Sequence, residues 1–254
     1  MSPRPIIGAV DVHAPSPTAG DCARWLAVES GAPLELVYVF DPGSLPALGR
    51  IEPGMRQRLY DLQDARAKAH ATEQLAAITS ASPGIRTSAT VAEGLPVPIL
   101  RELAGERRAG LIVAGTAARE GLEHVLHGSV AGELAAFAPC PVAVVPPDAE
   151  VADPGPVLVG DDGSEHGRRA VGHASVIGER LGRDVVPMHV EDGDPVTVLS
   201  EAGRDRRACL IVSGTRGRGP LRAELFGSVS MGLVQRAGRP VVLVSSNAGI
   251  PSSG

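Results

Sequence analysis

The sequence predicts an α/β protein made of two related domains, each a parallel sheet with helices on its faces. Three observations carry this. A glycine pattern occurs twice: Gly115-Thr116-Ala117-Ala118, nine residues, Gly128-Ser129, and Gly214-Thr215-Arg216-Gly217, nine residues, Gly227-Ser228. Short apolar runs alternate with helix-forming stretches along both copies. The runs are rich in Val, Leu and Ile while aromatics make up only 2% of the chain, a bias that suits strands buried on both faces. Self-similarity at this length marks a duplication, so the 254 residues read as two domains.

In the first copy, the apolar run Pro5–Val10 reads as a strand ending at Asp11. The amphipathic stretch Thr18–Ser30 reads as a helix and Leu34–Phe40 as the second strand. Residues 41–54 have the Gly/Pro density of a loop. Met55 to Ile78 is rich in Ala, Gln and Arg and is the strongest helix by propensity. A strand at Thr87–Val91, a helix at Val97–Arg107 and a strand at Leu111–Ala114 follow. Next come the glycine loop, a helix from Ser129, and a strand at Val142–Val145. This assigns residues 1–146 to domain one and 147–156 to a Pro/Asp/Gly-rich linker.

The second copy spans 157–246, with 247–254 as an expected flexible tail. Val157–Glu165 aligns Asp162 with Asp11, an offset of 151 residues, whereas Gly115/Gly214, Ser129/Ser228 and Pro141/Pro240 are each 99 apart. The second copy is therefore short by 52 residues, which predicts the loss of one helix and one strand. The remaining strand near Met188–Val190 aligns with either the second or the third strand of the first copy. An edge strand is the one whose removal leaves the central core and its crossovers intact.

Net charge is −5, which argues against nucleic-acid or membrane-surface partners. Lys68 is the sole lysine, so a phosphate-binding Walker lysine and most lysine catalysis are excluded. Cys22, Cys140 and Cys209 are scattered in apolar runs, as buried thiols of a reducing compartment would be. The N-terminus lacks a secretory h-region and no run approaches the ~18 apolar residues of a membrane span, so a cytoplasmic protein is expected.

A glycine-punctuated loop between a strand and a helix leaves backbone N–H groups free and lets an anion come close, the arrangement that grips phosphates. The second copy suits this better. Its loop carries Arg216, Arg218 and Arg222 against Glu224, whereas the first has Arg119 against Glu120 and Glu123 and replaces the second glycine by Ala118. Plainer readings stand beside these: Gly217 and Gly227 as turn glycines, Asp11 and Asp162 as helix caps, the arginines as a solvated face. The histidines show no metal-ligand spacing.

The segments Val159–Glu165, Val186–Val190, Gly193–Pro195 and Gly214-x2-Gly217-x9-Gly227-Ser228 with the following "RPVVLV" resemble the universal stress protein family, in tandem. The resemblance implies Rossmann-like, adenine nucleotide alpha hydrolase-like three-layer α/β/α domains, the second here lacking a strand and a helix. It implies ATP or a related adenine nucleotide, with or without Mg2+, at the C-terminal strand edge. By the family's pattern Asp162 and Asp11 sit by the adenosine moiety, and Val190 and Val39 line the adenine site. Gly214, Gly217, Gly227 and Ser228, with Arg216 and Val229 beside them, hold ribose and phosphates. Gly115, Gly128 and Ser129 are the first copy's counterparts. The expected role is a non-catalytic, ATP-binding stress-response protein, with the halves as an internal pseudo-dimer joined at Val142–Val145 and Val241–Val244, or as part of a homodimer. The alternatives are an interaction scaffold without nucleotide and, further off, a slow ATPase.

Overall fold

Runs of Val, Leu and Ile with little room for a polar face become the central strands of one nine-stranded sheet. Each run's alternate side chains enter opposite apolar layers. The computed structural model describes residues 3–10, 18–41, 53–80, 84–116, 130–215 and 227–249. Unit one runs β1 (Ile6–Ala9), α1 (Thr18–Ser30), β2 (Leu34–Phe40), α2 (Pro53–Ser80), β3 (Thr87–Glu93), α3 (Pro96–Glu106), β4 (Leu111–Gly115), α4 (Val130–Phe137) and β5 (Val142–Val145). Unit two runs β6 (Val157–Gly160), α5 (Glu165–Leu181), β7 (Val185–Met188), α6 (Pro195–Asp205), β8 (Leu210–Gly214), α7 (Ser228–Arg236) and β9 (Val241–Val244).

The sheet order is β3-β2-β1-β4-β5-β9-β8-β6-β7. Within each unit all pairs are parallel, and the two closing strands meet antiparallel, Val142 opposite Leu243 and Val144 opposite Val241. Both closing strands are fully buried, so each removes the other's open edge. One face is covered by α1, α2 and α5, where Leu26, Leu75 and Ala174 meet Leu34, Val159 and Val242. The other is covered by α3, α4, α6 and α7, where Leu100, Leu134, Leu199 and Leu233 meet Ile7, Ile112, Leu158 and Ile211.

Unit two has four strands where unit one has five. β7 pairs with β6 as β2 pairs with β1, Val157 opposite Val185 and Ile6 opposite Leu34. The missing segment therefore corresponds to α2 and β3, the long helix and the edge strand, and α6 follows β7 directly. The duplication persists in detail. Arg108 and Arg207, which follow α3 and α6, both have left-handed φ, 51° and 49°.

The segment between the units is anchored. Asp153 pairs with Arg239 and Arg207, and Glu150 with Arg239. Residues 247–249, at the start of the expected flexible tail, are tied to unit one: Asn247 Nδ2 donates to the Ala136 carbonyl at 3.1 Å and the Gly249 N–H to that of Pro139 at 3.2 Å. All three cysteines are buried and unpaired by disulfide.

Candidate functional site

In unit two the chain leaves β6 for β7 on one side and returns through α6 to β8 on the other. The switch point, beyond the C-terminal ends of β6 and β8, is where open parallel sheets form a crevice. A cleft of about 200 Å³ lies there.

The segment after β6 is shaped by short side chains that accept from their own backbone. Asp161 Oδ1 accepts the Gly163 N–H at 2.9 Å and Asp162 Oδ1 accepts the Ser164 N–H at 3.0 Å. Ser164 then caps α5, its Oγ accepting the Gly167 N–H at 3.0 Å. Gly167 is required here, because a Cβ would stand 2.7 Å from both aspartate Oδ1 atoms. Just beyond β7, His189 Nδ1 donates to the Asp161 carbonyl at 2.6 Å.

The opposite wall is the end of β8 and the first turn of α7. Ser230 Oγ donates to the Gly214 carbonyl at 3.0 Å and lies 3.2 Å from Ser213 Oγ. α7 begins at Ser228 after an extended Gly227 (φ −63°, ψ 147°), and among the described residues no side chain caps it. Its first-turn N–H groups lie at the positive end of the helix dipole, where an anion is favoured. Met188, Val190, Leu199 and Val229 supply an apolar side to the same cleft. At the start of α6, Asp194 accepts from the Thr197 hydroxyl at 2.8 Å and from the N–H groups of Val196 and Thr197. The Thr197 bonds, with Arg236 nearby, hold its carboxyl below the usual carboxylate range.

The cleft brings together Asp162, Val190, Gly214, Gly227, Ser228 and Val229. Val190 does not end a strand, as the sequence suggested: β7 stops at Met188, whose carbonyl accepts the Asp161 N–H at 3.0 Å where β6 itself stops. Sequence reasoning missed Asp161, His166, Gly167, Met188 and Ser230 as cleft residues. The Asp-Asp-Gly-Ser run at 161–164 was the signal for the first.

In unit one Val39 sits in β2, half-buried, and Gly115 ends β4, with the Thr116 N–H donating to the Val145 carbonyl at 3.0 Å as that of Thr215 does to Val244 at 2.9 Å. Asp11, Gly128, Ser129, Arg216 and Gly217 lie outside the described residues, as do both arginine-bearing loops. Among the described residues no group of three metal-ligating side chains is gathered, and no helix is long and apolar enough to cross a membrane.

The parallel sheet, two helical layers and a cleft at the switch point define a Rossmann-like α/β protein of two units. The sequence profile of the universal stress protein family matches residues 3–146 and 177–245, and the chain belongs to that family. A universal stress protein of Mycolicibacterium smegmatis is 30% identical, the match covering 94% of this chain and 96% of the relative. One from Mycobacterium tuberculosis H37Rv is 35% identical over 150 residues, 57% of this chain and 50% of its own length. Among solved structures, a universal stress protein from Archaeoglobus fulgidus superposes with a TM-score of 0.71 at 18% identity over 95% of this chain and 96% of that one.

Proposed function

We propose that this universal stress protein binds an adenine nucleotide, ATP, in the unit-two cleft, and acts in the cytoplasm as a non-catalytic stress-response regulator. The observation that carries the reading is the N-terminus of α7, with no side-chain cap among the described residues, facing a cleft with an apolar side and a close-approach glycine, Gly214. The phosphates would meet the N–H groups of Ser228 and Val229, with Arg216 and Gly217 from the preceding loop. Asp162 would face the ribose, and Val190 the base. Mg2+, where present, would be held chiefly by phosphate oxygens and water. Unit one, with Ala118 in place of a glycine, is the structural partner, its Asp11, Val39, Gly115, Gly128 and Ser129 forming a weaker counterpart.

The test is mass spectrometry of small molecules released on denaturing the purified protein, followed by calorimetry with ATP. Stoichiometric ATP or ADP, or saturable binding abolished by Gly217→Val in a folded protein, supports the reading. No nucleotide and no heat of binding would leave an interaction scaffold in its place. Phosphate release that Ser228→Ala abolishes would make the protein an ATPase.

A further inference from the structure

We propose that the seam between the units holds a second ligand site, taking a short aliphatic carboxylate. A pocket of about 90 Å³ lies where the chain enters β1, β4 and β5, and is walled by α1 and α5. At roughly 10–15 Å³ per water-sized group, that volume has room for a ligand of about six heavy atoms.

Its floor is apolar, including Ile6, Leu26, Leu111 and Ile177. Among the described residues its charged lining is of one sign: Arg4 from unit one and Arg180 from unit two, with no carboxylate. Both arginines flank Gly110, where a Cβ would stand 3.1 Å from Arg4 Cβ and 3.7 Å from Arg180 Nη1. Among the described residues Arg180 has no ion-pair partner, while the nearby Arg183 is engaged by Glu29 at 3.4 Å. A guanidinium beside an apolar recess recognises a planar anion with a hydrocarbon body.

His173 supplies an independent observation. It lines the same pocket, is only 7% exposed, and its Nε2 is buried with no hydrogen-bond partner. A buried ring nitrogen left unpaired is unfavourable, and a carboxylate would accept from Nε2 of the protonated ring, the other ring nitrogen being bonded to the Gly249 backbone. Burial, then Arg169, hold its pKa below the usual histidine value, opposed by a hydrogen bond to the Gly249 backbone. An anion in the pocket would raise it. The ligand would thus touch both units, and by binding only the assembled seam it would stabilise the fold.

The probe is isobutyrate, titrated to about 50 mM into the full-length 15N-labelled protein, with isobutyramide as its neutral isostere. Saturable amide shifts at Gly110, Ile177 and Gly249, with movement of the His173 ring resonances, are expected. Isobutyramide should bind about tenfold more weakly, and Arg180→Gln should weaken isobutyrate about tenfold while leaving the amide unchanged. Overall dispersion of the Arg180→Gln spectrum shows that it folds. The proposal is overturned by the absence of saturable shifts at the seam, by equal affinity for the amide, or by isobutyrate binding indifferent to Arg180→Gln.

Discussion

Arg239 is 2% exposed, and its two terminal nitrogens are paired with groups far away in the chain, while its Nε is buried without a partner among the described residues. Nη1 donates to Asp153 and to the Ala208 carbonyl, and Nη2 to Glu150 at 3.1 Å, while Arg207 Nη2 holds the other Asp153 oxygen at 2.9 Å. Arg239, then Arg207, hold the Asp153 carboxyl below the usual range against the opposing effect of burial. Asp153→Ala leaves the buried cation to exposed Glu150 alone and should cost about 3 kcal/mol, read from urea midpoints at neutral pH. The pH dependence follows from the direction of the shift. In the unfolded chain this carboxyl titrates near ~4, so the pair's stabilisation is complete above that pH and is lost as pH falls through the lower folded value. Asp153→Ala should therefore lose less stability than the wild type on acidification below about pH 4. Equal acid slopes in the two proteins would remove Asp153 from the account. None of this was legible in the sequence, because the partners lie 86 residues apart with no periodicity linking them. Asp162, by contrast, was legible because it belongs to a local Asp-Gly-Ser turn directly after an apolar strand.

At the scale of elements, the two copies of the glycine pattern differ in how closely strand and helix approach. Gly214 ends β8 against the first turn of α5, where a Cβ would stand 2.7 Å from the His166 carbonyl oxygen, a backbone atom that cannot turn aside. Gly115 ends β4 against α1, where the nearest atom is the Ala19 Cβ at 3.3 Å. Gly214→Ala should destabilise the protein by about 1–3 kcal/mol and Gly115→Ala by less than ~1 kcal/mol, measured by chemical denaturation. Equal losses would mean that the asymmetry lies elsewhere than in this packing. The strands and most helices could be read from the sequence because apolar runs of four to seven residues separated by Gly/Pro turns have few other interpretations. The placement of β7 could not, since one strand of suitable composition matched two positions in the first copy. Pairing with β6 decides it, and a proline at position 187 is tolerable because β7 is now the sheet edge. Val190 was taken one step too far into that strand because β7 can extend only as far as β6 accompanies it.

Across the whole molecule, the antiparallel β5–β9 pair makes one nine-stranded sheet from two units, and each apolar layer contains residues of both. The seam is also crossed by the Glu29–Arg183 pair and by the bonds from Asn247 and Gly249 to unit one. Neither closing strand has a solvated face, so separating the units would expose a fully apolar edge on each. The units should therefore unfold together. Trp25 is the single tryptophan of the chain and lies on α1, so its fluorescence reports unit one alone, whereas far-UV circular dichroism reports the helices of both. In the wild type the two signals should follow one urea transition. Val242, on β9 of unit two, is fully buried opposite Ala143, and Val242→Asp puts an unpaired carboxyl into the layer that holds Trp25. The Trp25 transition should then move to lower urea by the equivalent of at least ~3 kcal/mol, together with the dichroism. A Trp25 transition that stays in place while the dichroism splits in two would show that the shared sheet joins units that are stable independently.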